Sequence, residues 1–259
     1  AYADTSAGAL IGGNGSLTLA QINSTINSYI GKDAQISATD NVLLTVNSYN
    51  AAQSNASGRA YGLVAGGYTE AKTDIDENNK VYIKANTVAG KSINAKNVKL
   101  TLKADKYADT NANAGSGGLV GGTGSLAELD VTSNNKVYTG DSISTAKNNI
   151  NATQNFVLDA DSVLLYKTTN NNSAAGVIAA GVPYIYNDTA LTTDVKIGSY
   201  NNITTGEDLT LDGYNKTYNF GSGYSLVGGA SGLAGIGSGG SATNADSVIN
   251  TAIGSYSDL

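Results

Sequence analysis

Val98-Lys-Leu-Thr-Leu-Lys-Ala-Asp105 alternates without a break: Val98, Leu100, Leu102 and Ala104 share one face, and Lys99, Thr101, Lys103 and Asp105 take the other. Successive side chains of an extended chain point to opposite sides, so this period of two marks a strand with one face buried and one in water. The pattern recurs where Val81, Ile83 and Ala85 alternate with Tyr82 and Lys84, where Val195 and Ile197 flank Lys196, and where Leu209 and Leu211 alternate with Thr210 and Asp212. The segments are bounded by Asn, Asp, Gly and Ser, which favour turns. No helix start or stop of any length is present, so the chain reads as all-β.

Outward from these strands a glycine-rich box repeats. It stands at Ser6-Ala-Gly-Ala-Leu-Ile-Gly-Gly13, Tyr61-Gly-Leu-Val-Ala-Gly-Gly67 and Gly117-Gly-Leu-Val-Gly-Gly122, with a degenerate copy at Ala175-Gly-Val-Ile-Ala-Ala-Gly181 and a last one at Tyr224-Ser-Leu-Val-Gly-Gly229. Final glycines at 13, 67, 122, 181 and 229 give steps of 54, 55, 59 and 48 residues. Two further words share the period: Tyr2-Ala-Asp-Thr5 with Tyr107-Ala-Asp-Thr110, and Asn78-Asn-Lys-Val-Tyr82 with Asn134-Asn-Lys-Val-Tyr138. Near-constant spacing with period-two strands between the boxes points to a stacked repeat, a parallel β-helix of about five repeats of roughly 54 residues, with residues 1–259 forming a single β-solenoid. A repeat of that length exceeds the usual coil. The expectation is therefore two or three coils per repeat, each of about 18 to 27 residues, or about a dozen coils in a rod of roughly 60 Å.

Two other folds compete. Sandwiches and barrels also use short alternating strands, but Asn14-Gly15 is the only hairpin signal of its type. Propeller blades carry aromatic and His signatures, and there is no Trp or His to supply them. Within a solenoid the boxes read as coil corners or thin strands where two sheets approach, with Leu63-Val64 and Leu119-Val120 as apolar contacts. The rival reading, a phosphate-cradling loop, lacks both the Gly-Lys-Ser/Thr ending and a following helix. The single proline, Pro183, predicts a bulge or irregular edge in the fourth box.

Composition excludes much chemistry. The 259 residues include 32 Gly and 16 Tyr but no Cys, His, Met or Trp, and only 14% are charged, against about 25% in an ordinary domain. Without Cys there is neither a disulfide frame nor a thiolate nucleophile; without His there is no Ser-His-Asp triad. A net charge of -6 opposes binding to a phosphate backbone. No apolar run is long enough to cross a bilayer as a helix. Neither terminus reads as a polar cap, and the absence of an initiator Met reads as a fragment or processed product of a longer chain.

Few residues remain as candidates for a site. Asp74, Asp76 and Asn78 alternate like the first ligands of a calcium loop, but Asn79 and Ala85 stand where that loop needs Gly and Glu, so the cluster is a weak calcium candidate or a solvated turn. Asp159 with Asp161, and Glu207 with Asp208, are paired acids at turns, the raw material of a glycosidase. Such clefts also ask for basic groups, and Arg59 is the only arginine, so no enzyme and no cofactor are expected. Tyr82 and Tyr138 sit at outward strand positions, and Tyr49, Tyr107, Tyr214 and Tyr218 in turn-like stretches. They read either as ladders bracing stacked coils or as a contact surface, formed by Tyr82, Tyr138, Tyr107 and Tyr214, that stacks on sugars or anchors a protein.

The Leu-Val-Ala-Gly-Gly and Gly-Gly-Leu-Val-Gly-Gly boxes, set between strand words such as Ile93-Asn-Ala-Lys-Asn-Val-Lys-Leu100, resemble the repeat regions of large bacterial filamentous adhesins of the filamentous-haemagglutinin and leukotoxin-type class. That resemblance implies a right-handed parallel β-helix exported through a partner barrel to the bacterial cell surface. It implies an extracellular adhesive fibre segment whose partner is a surface receptor or glycan. Two alternatives accompany it: a subunit that associates end to end into a filament or sheath, and, more distantly, a carbohydrate-active β-helix enzyme. Neither nucleic-acid binding nor membrane insertion is expected.

Overall fold

A computed structural model describes residues 1–220 and 225–259, all-β and without a helix. The chain winds as five coils. The first holds β1 (Tyr2–Gly8), β2 (Ile11–Ile30) and β3 (Ile36–Ser37); the second β4 (Asn41–Tyr61), β5 (Val64–Ile83) and β6 (Ser92–Ala95); the third β7 (Asn97–Gly117), β8 (Val120–Thr139) and β9 (Asn148–Ala152). The fourth holds β10 (Phe156–Ala175), β11 (Ile178–Ile197) and β12 (Asn201–Thr205), and the fifth β13 (Leu209–Asn219), β14 (Ser225–Ser231), β15 (Ala234–Gly237) and β16 (Gly240–Ile253). Every pairing between these strands is parallel and joins one coil to the next, in three sheets: β1-β4-β7-β10 with β13 and β14; β2-β5-β8-β11 with β15 and β16; and β3-β6-β9-β12. This is a parallel β-solenoid.

The expected subdivision of the repeat is corrected: one repeat is one coil. Its length goes into two strands of 20 or 21 residues, β4 with β5 or β7 with β8, which run out and back. A 20-residue strand is about 66 Å long, whereas five coils span four spacings, about 19 Å. The molecule is a broad plate, not the expected rod of a dozen coils. The final glycines of the boxes are not one column: Gly13 lies opposite Gly66, Gly66 opposite Gly122 and Gly122 opposite Ala180, and the fifth copy falls elsewhere. The coil corners are Ala9-Leu10, Gly62-Leu63, Gly118-Leu119, Gly176-Val177 and Gly232-Leu233, so the corner glycines at 62, 118, 176 and 232 step by 56, 58 and 56 residues. Tyr224 lies outside the described residues, and Leu226 to Gly229 are strand β14, paired with Asn170 to Ser173. The Tyr2 and Tyr107 words are also out of register, since Tyr2 lies opposite Asn55 and Tyr107 opposite Ala51. The Asn78–Tyr82 and Asn134–Tyr138 words do pair residue for residue.

Why glycine holds the corner follows from distance. A Cβ on Gly62 would stand 2.1 Å from the carbonyl oxygen of Ala9, one on Gly118 2.0 Å from that of Gly62, and one on Gly232 1.8 Å from that of Gly176. Each corner rests directly on the backbone of the corner before it, and only a residue without a side chain permits that approach. Ala9 occupies the same place in the first coil, where no described coil lies beneath it. The apolar half of the box is not buried as expected. The turn throws Leu63 and Leu119 outward, and each remains 51% exposed.

Inward residues shrink toward that corner. At the broad end, beside the third sheet, Val98, Leu100, Leu102, Phe156, Leu158, Ile150, Val195 and Ile197 form the main core. Midway come Ile75, Leu129, Leu164 and Leu191, and near the corner Ala56, Ala71, Ala112 and Ala127, with Ile185 the larger residue of the fourth coil. Wide side chains hold the two long sheets apart at one end and small ones let them close at the other, so the residue sizes along a strand set a wedge-shaped coil. Pro183 interrupts pairing as expected. It keeps its place opposite Ser125 in β8, but on its other side the ladder breaks between β15 and β16, because proline offers no N–H to the coil above.

Gly118→Ala is expected to destabilise the plate by about 1–3 kcal/mol through backbone displacement. Gly122→Ala, whose Cβ would meet nothing within 4 Å, should change stability by less than about 0.5 kcal/mol. Urea unfolding of both variants measures the contrast.

Candidate functional site

Parallel register turns each outward position into a column of side chains about 4.8 Å apart, and the chemistry of the surface lies in these columns. On the outer face of the second sheet, Tyr29, Tyr82 and Tyr138 occupy one column. Their rings stack at 5.2 Å and 4.9 Å between centroids, the second pair only 2° from parallel. The Lys84 ammonium lies 4.1 Å from the Tyr29 centroid. Burial and the neighbouring Tyr82 phenol raise the Tyr138 pKa above that of an ordinary tyrosine. Tyr107 and Tyr214 lie on the opposite, first sheet, where Tyr107 stacks on Phe220 at 4.9 Å. The four tyrosines proposed as one contact surface therefore divide between two faces. Tyr49, Tyr107, Tyr214 and Tyr218 are in strands β4, β7 and β13, not in turns.

The acidic cluster is likewise a strand and not a solvated turn. In β5, Asp74, Asp76 and Asn78 point out, and Glu77 and Asn79 point in and are fully buried. Ligands two apart on an extended strand are roughly 6.6 Å apart and cannot close around one ion as a loop would. Asp74, Asp130 and Asp188 form a column, closed at its ends by amides: Gln21 Nε2 donates to Asp74 at 2.9 Å and Asn244 Nδ2 to Asp188 at 3.2 Å. Burial and the flanking carboxylates raise the pKa of Asp130. Asp159 and Asp161 are outward residues in mid-strand β10, while Glu207 and Asp208 do lie in the turn before β13. Among the described residues no group of three or more acids is gathered closely enough to hold a metal ion.

The charged pair that sequence reading missed is inside. Lys106 and Glu77, both wholly buried, meet at 3.0 Å. The ammonium has three protons and three acceptors, Glu77 Oε2, Ser162 Oγ and the Ala104 carbonyl, each at 3.0 Å. Ser133 Oγ donates to the carboxylate at 3.1 Å, and Asn79 Nδ2 donates to its other oxygen. Burial pushes the Glu77 carboxyl up, but the ammonium and these donors outweigh it and hold it below the usual glutamate value. Burial pulls Lys106 down, opposed by the same carboxylate. With all three ammonium protons engaged, the cluster joins three coils and both long sheets. Its parity was the available signal. Lys106 continues the inward series Val98 to Ala104, and Glu77 lies between the inward Ile75 and Val81.

A further polar chain climbs the corner between the second and third sheets. Asn86 Oδ1 accepts from the Asp33 amide at 3.1 Å, and Asn148 Oδ1 accepts from the Asn86 amide at 2.8 Å. Asn148 Nδ2 in turn donates to Asn201 Oδ1 at 2.9 Å. These buried amides tie successive coils where the turn leaves backbone groups unpaired.

The grooves on the outer faces include one on each long sheet. One, of about 330 Å³ on the first sheet, lies where the Arg59 stem runs over Gly115, beside Asn113, Asn171 and Ser173. The other, of about 380 Å³ on the second sheet, begins at Tyr138 and is lined by Lys136, Asp141, Asp194, Lys196 and Asn250. Comparison of the chain with protein-family models, curated proteins and solved structures finds no match in any of the three.

Removing one member of the buried pair should cost about 3–5 kcal/mol, as in Lys106→Met, and the double variant with Glu77→Leu should recover most of that loss. Because the folded-state pKa of Glu77 is depressed, its contribution is complete above the unfolded value, about 4.3, and is lost as pH falls through the folded-state value. Urea midpoints measured down an acid series should therefore fall less steeply for the double variant than for the parent.

Proposed function

We propose that the chain is a mechanical and display segment of an extracellular bacterial fibre, the stalk of a surface adhesin. The observation that carries this reading is the continuity of the stack. Strands of 20 and 21 residues pair along their whole length from coil to coil, and amide, tyrosine and ion-pair columns reinforce them. Backbone bonds between parallel strands lie along the stack, so a load on that axis is shared by two long ladders at once. The flat outer faces offer repeated columns for contact. The adhesin-like style of the boxes supports the bacterial surface as the setting.

End-to-end assembly of copies is the second reading. Ile36, Val42 and Leu44 at one end of the stack, and Leu209 and Leu211 at the other, belong to the core yet are only partly buried, and the outer edges of β2 and β16 have no neighbour among the described residues. Ala9 opposes stacking in unchanged geometry, because a carbonyl placed beneath it as Ala9 lies beneath Gly62 would strike its Cβ.

Display on a bacterium that lacks its own adhesins tests the first reading: it should increase the number of cells retained on a host-cell monolayer under flow. No gain over a non-displaying control would contradict it. Sedimentation at rising concentration tests the second, with a stable monomer expected and filaments counting in favour of assembly.

A further inference from the structure

The tyrosine column on the second sheet stops short. Its rungs in coils one to three are Tyr29, Tyr82 and Tyr138, but the fourth is Lys196 and the fifth Ala252. Tyr82 has a ring on each side. Tyr138 has a ring on one side only, and its other face looks into the groove of about 380 Å³. Lys196 supplies no ring at the fourth rung, and its ammonium turns aside to Asp141 at 3.5 Å. Ala252 is too short to fill the next. The space above Tyr138 therefore has an aromatic floor, with the Lys196 stem and the short Ala252 beside it instead of further rings.

The lining is largely apolar, and the polar groups at its rim are balanced in charge. Lys136 pairs with Asp194 at 2.8 Å, and Asn250 Nδ2 donates to the same carboxylate at 2.8 Å. Burial pushes the Asp194 carboxyl up, but these two donors outweigh it and keep it an ionised acceptor. Two lysines against two aspartates leave no net charge to select a carboxylate or a phosphate. An aromatic floor with donors and acceptors around its rim, in a volume at the small end of ligand sites, matches a ring with one apolar face and a girdle of hydroxyls.

We propose that the open face of Tyr138 is a binding site for a neutral hexopyranose unit of a surface glycan, which takes the place of the missing fourth ring. The sugar's C–H face stacks on Tyr138, and its hydroxyls bond to Asp194, Asn250 and Lys136. The inference deepens the display reading and rests on it only for why a glycan is encountered.

Saturation-transfer NMR on the full chain tests it, with methyl β-galactopyranoside, methyl β-glucopyranoside, glucuronate and adenosine as probes. Transfer to the ring protons of at least one neutral hexoside is expected, exceeding that to glucuronate. Tyr138→Ala should reduce it at least tenfold. Because that variant also shortens the ladder, Lys196→Tyr provides the second arm. It supplies the fourth ring, and should leave the thermal midpoint unchanged or higher while abolishing transfer. No transfer to either hexoside, stronger binding of glucuronate or adenosine, or undiminished transfer with Lys196→Tyr would each overturn the site. Cell retention under flow without sugar binding would refute this site and leave the stalk reading standing.

Discussion

The structure depends on the closeness with which one coil's backbone rests on the next. Parallel strands 4.8 Å apart satisfy the backbone of two 20-residue segments only while the register holds over their whole length. The corner is where that requirement is strictest, since the chain reverses within two residues and the following coil must repeat the turn directly above. The glycines at 62, 118, 176 and 232 meet it by having nothing to place between the carbonyls. A second set at Gly140, Gly198 and Gly254, beyond the other end of the second sheet's strands, makes similarly close approaches to the preceding coil. Between these points a slip of one residue would turn Val98, Leu100 and Leu102 to water and Lys99 and Lys103 into the core.

Once register is fixed, the rest of the molecule is built in columns. Apolar columns make the core, and their decreasing size makes the wedge. Between the aliphatic residues of the wedge, Thr, Ser, Asn, Glu77 and Lys106 hydrogen-bond across the two sheets. A buried ion pair contributes little net stability relative to a well-packed apolar pair. It does penalise other registers, because a shift would leave two charges without partners. On the outside the same rule generates the tyrosine stack and the row of aspartates, so one repeating backbone produces surfaces of quite different chemistry.

Much of this was legible in the sequence, and the failures have physical causes. Period two revealed the strands and their faces, and the boxes revealed the repeat, since both are local consequences of the fold. The Asn78–Tyr82 and Asn134–Tyr138 words gave the true register because both of their faces are constrained. Alternation shows that a segment is extended but not where it ends, so the coil reads as smaller than it is: Tyr49 and Tyr107 lie in unbroken strands of 21 residues whose polar middles resemble turns. Lys106 and Glu77 went unnoticed because each is polar, and only parity places them inside. The groove above Tyr138 was invisible for another reason. It arises from what Lys196 and Ala252 fail to supply, and that becomes apparent only when the columns are aligned.

The central claim, that one 56-residue repeat is a single turn of the solenoid, is most directly tested by a distance between its ends. Asn27 and Asn250 are exposed and share one column, four coil spacings apart through Lys80, Lys136 and Asp194. The chain has no native cysteine, so cysteines at these two positions can be spin-labelled without interference. Pulsed electron–electron resonance should give a narrow distribution centred at about 2 nm. A distance of 5 nm or more, as a stack of a dozen small coils would produce, would contradict the account.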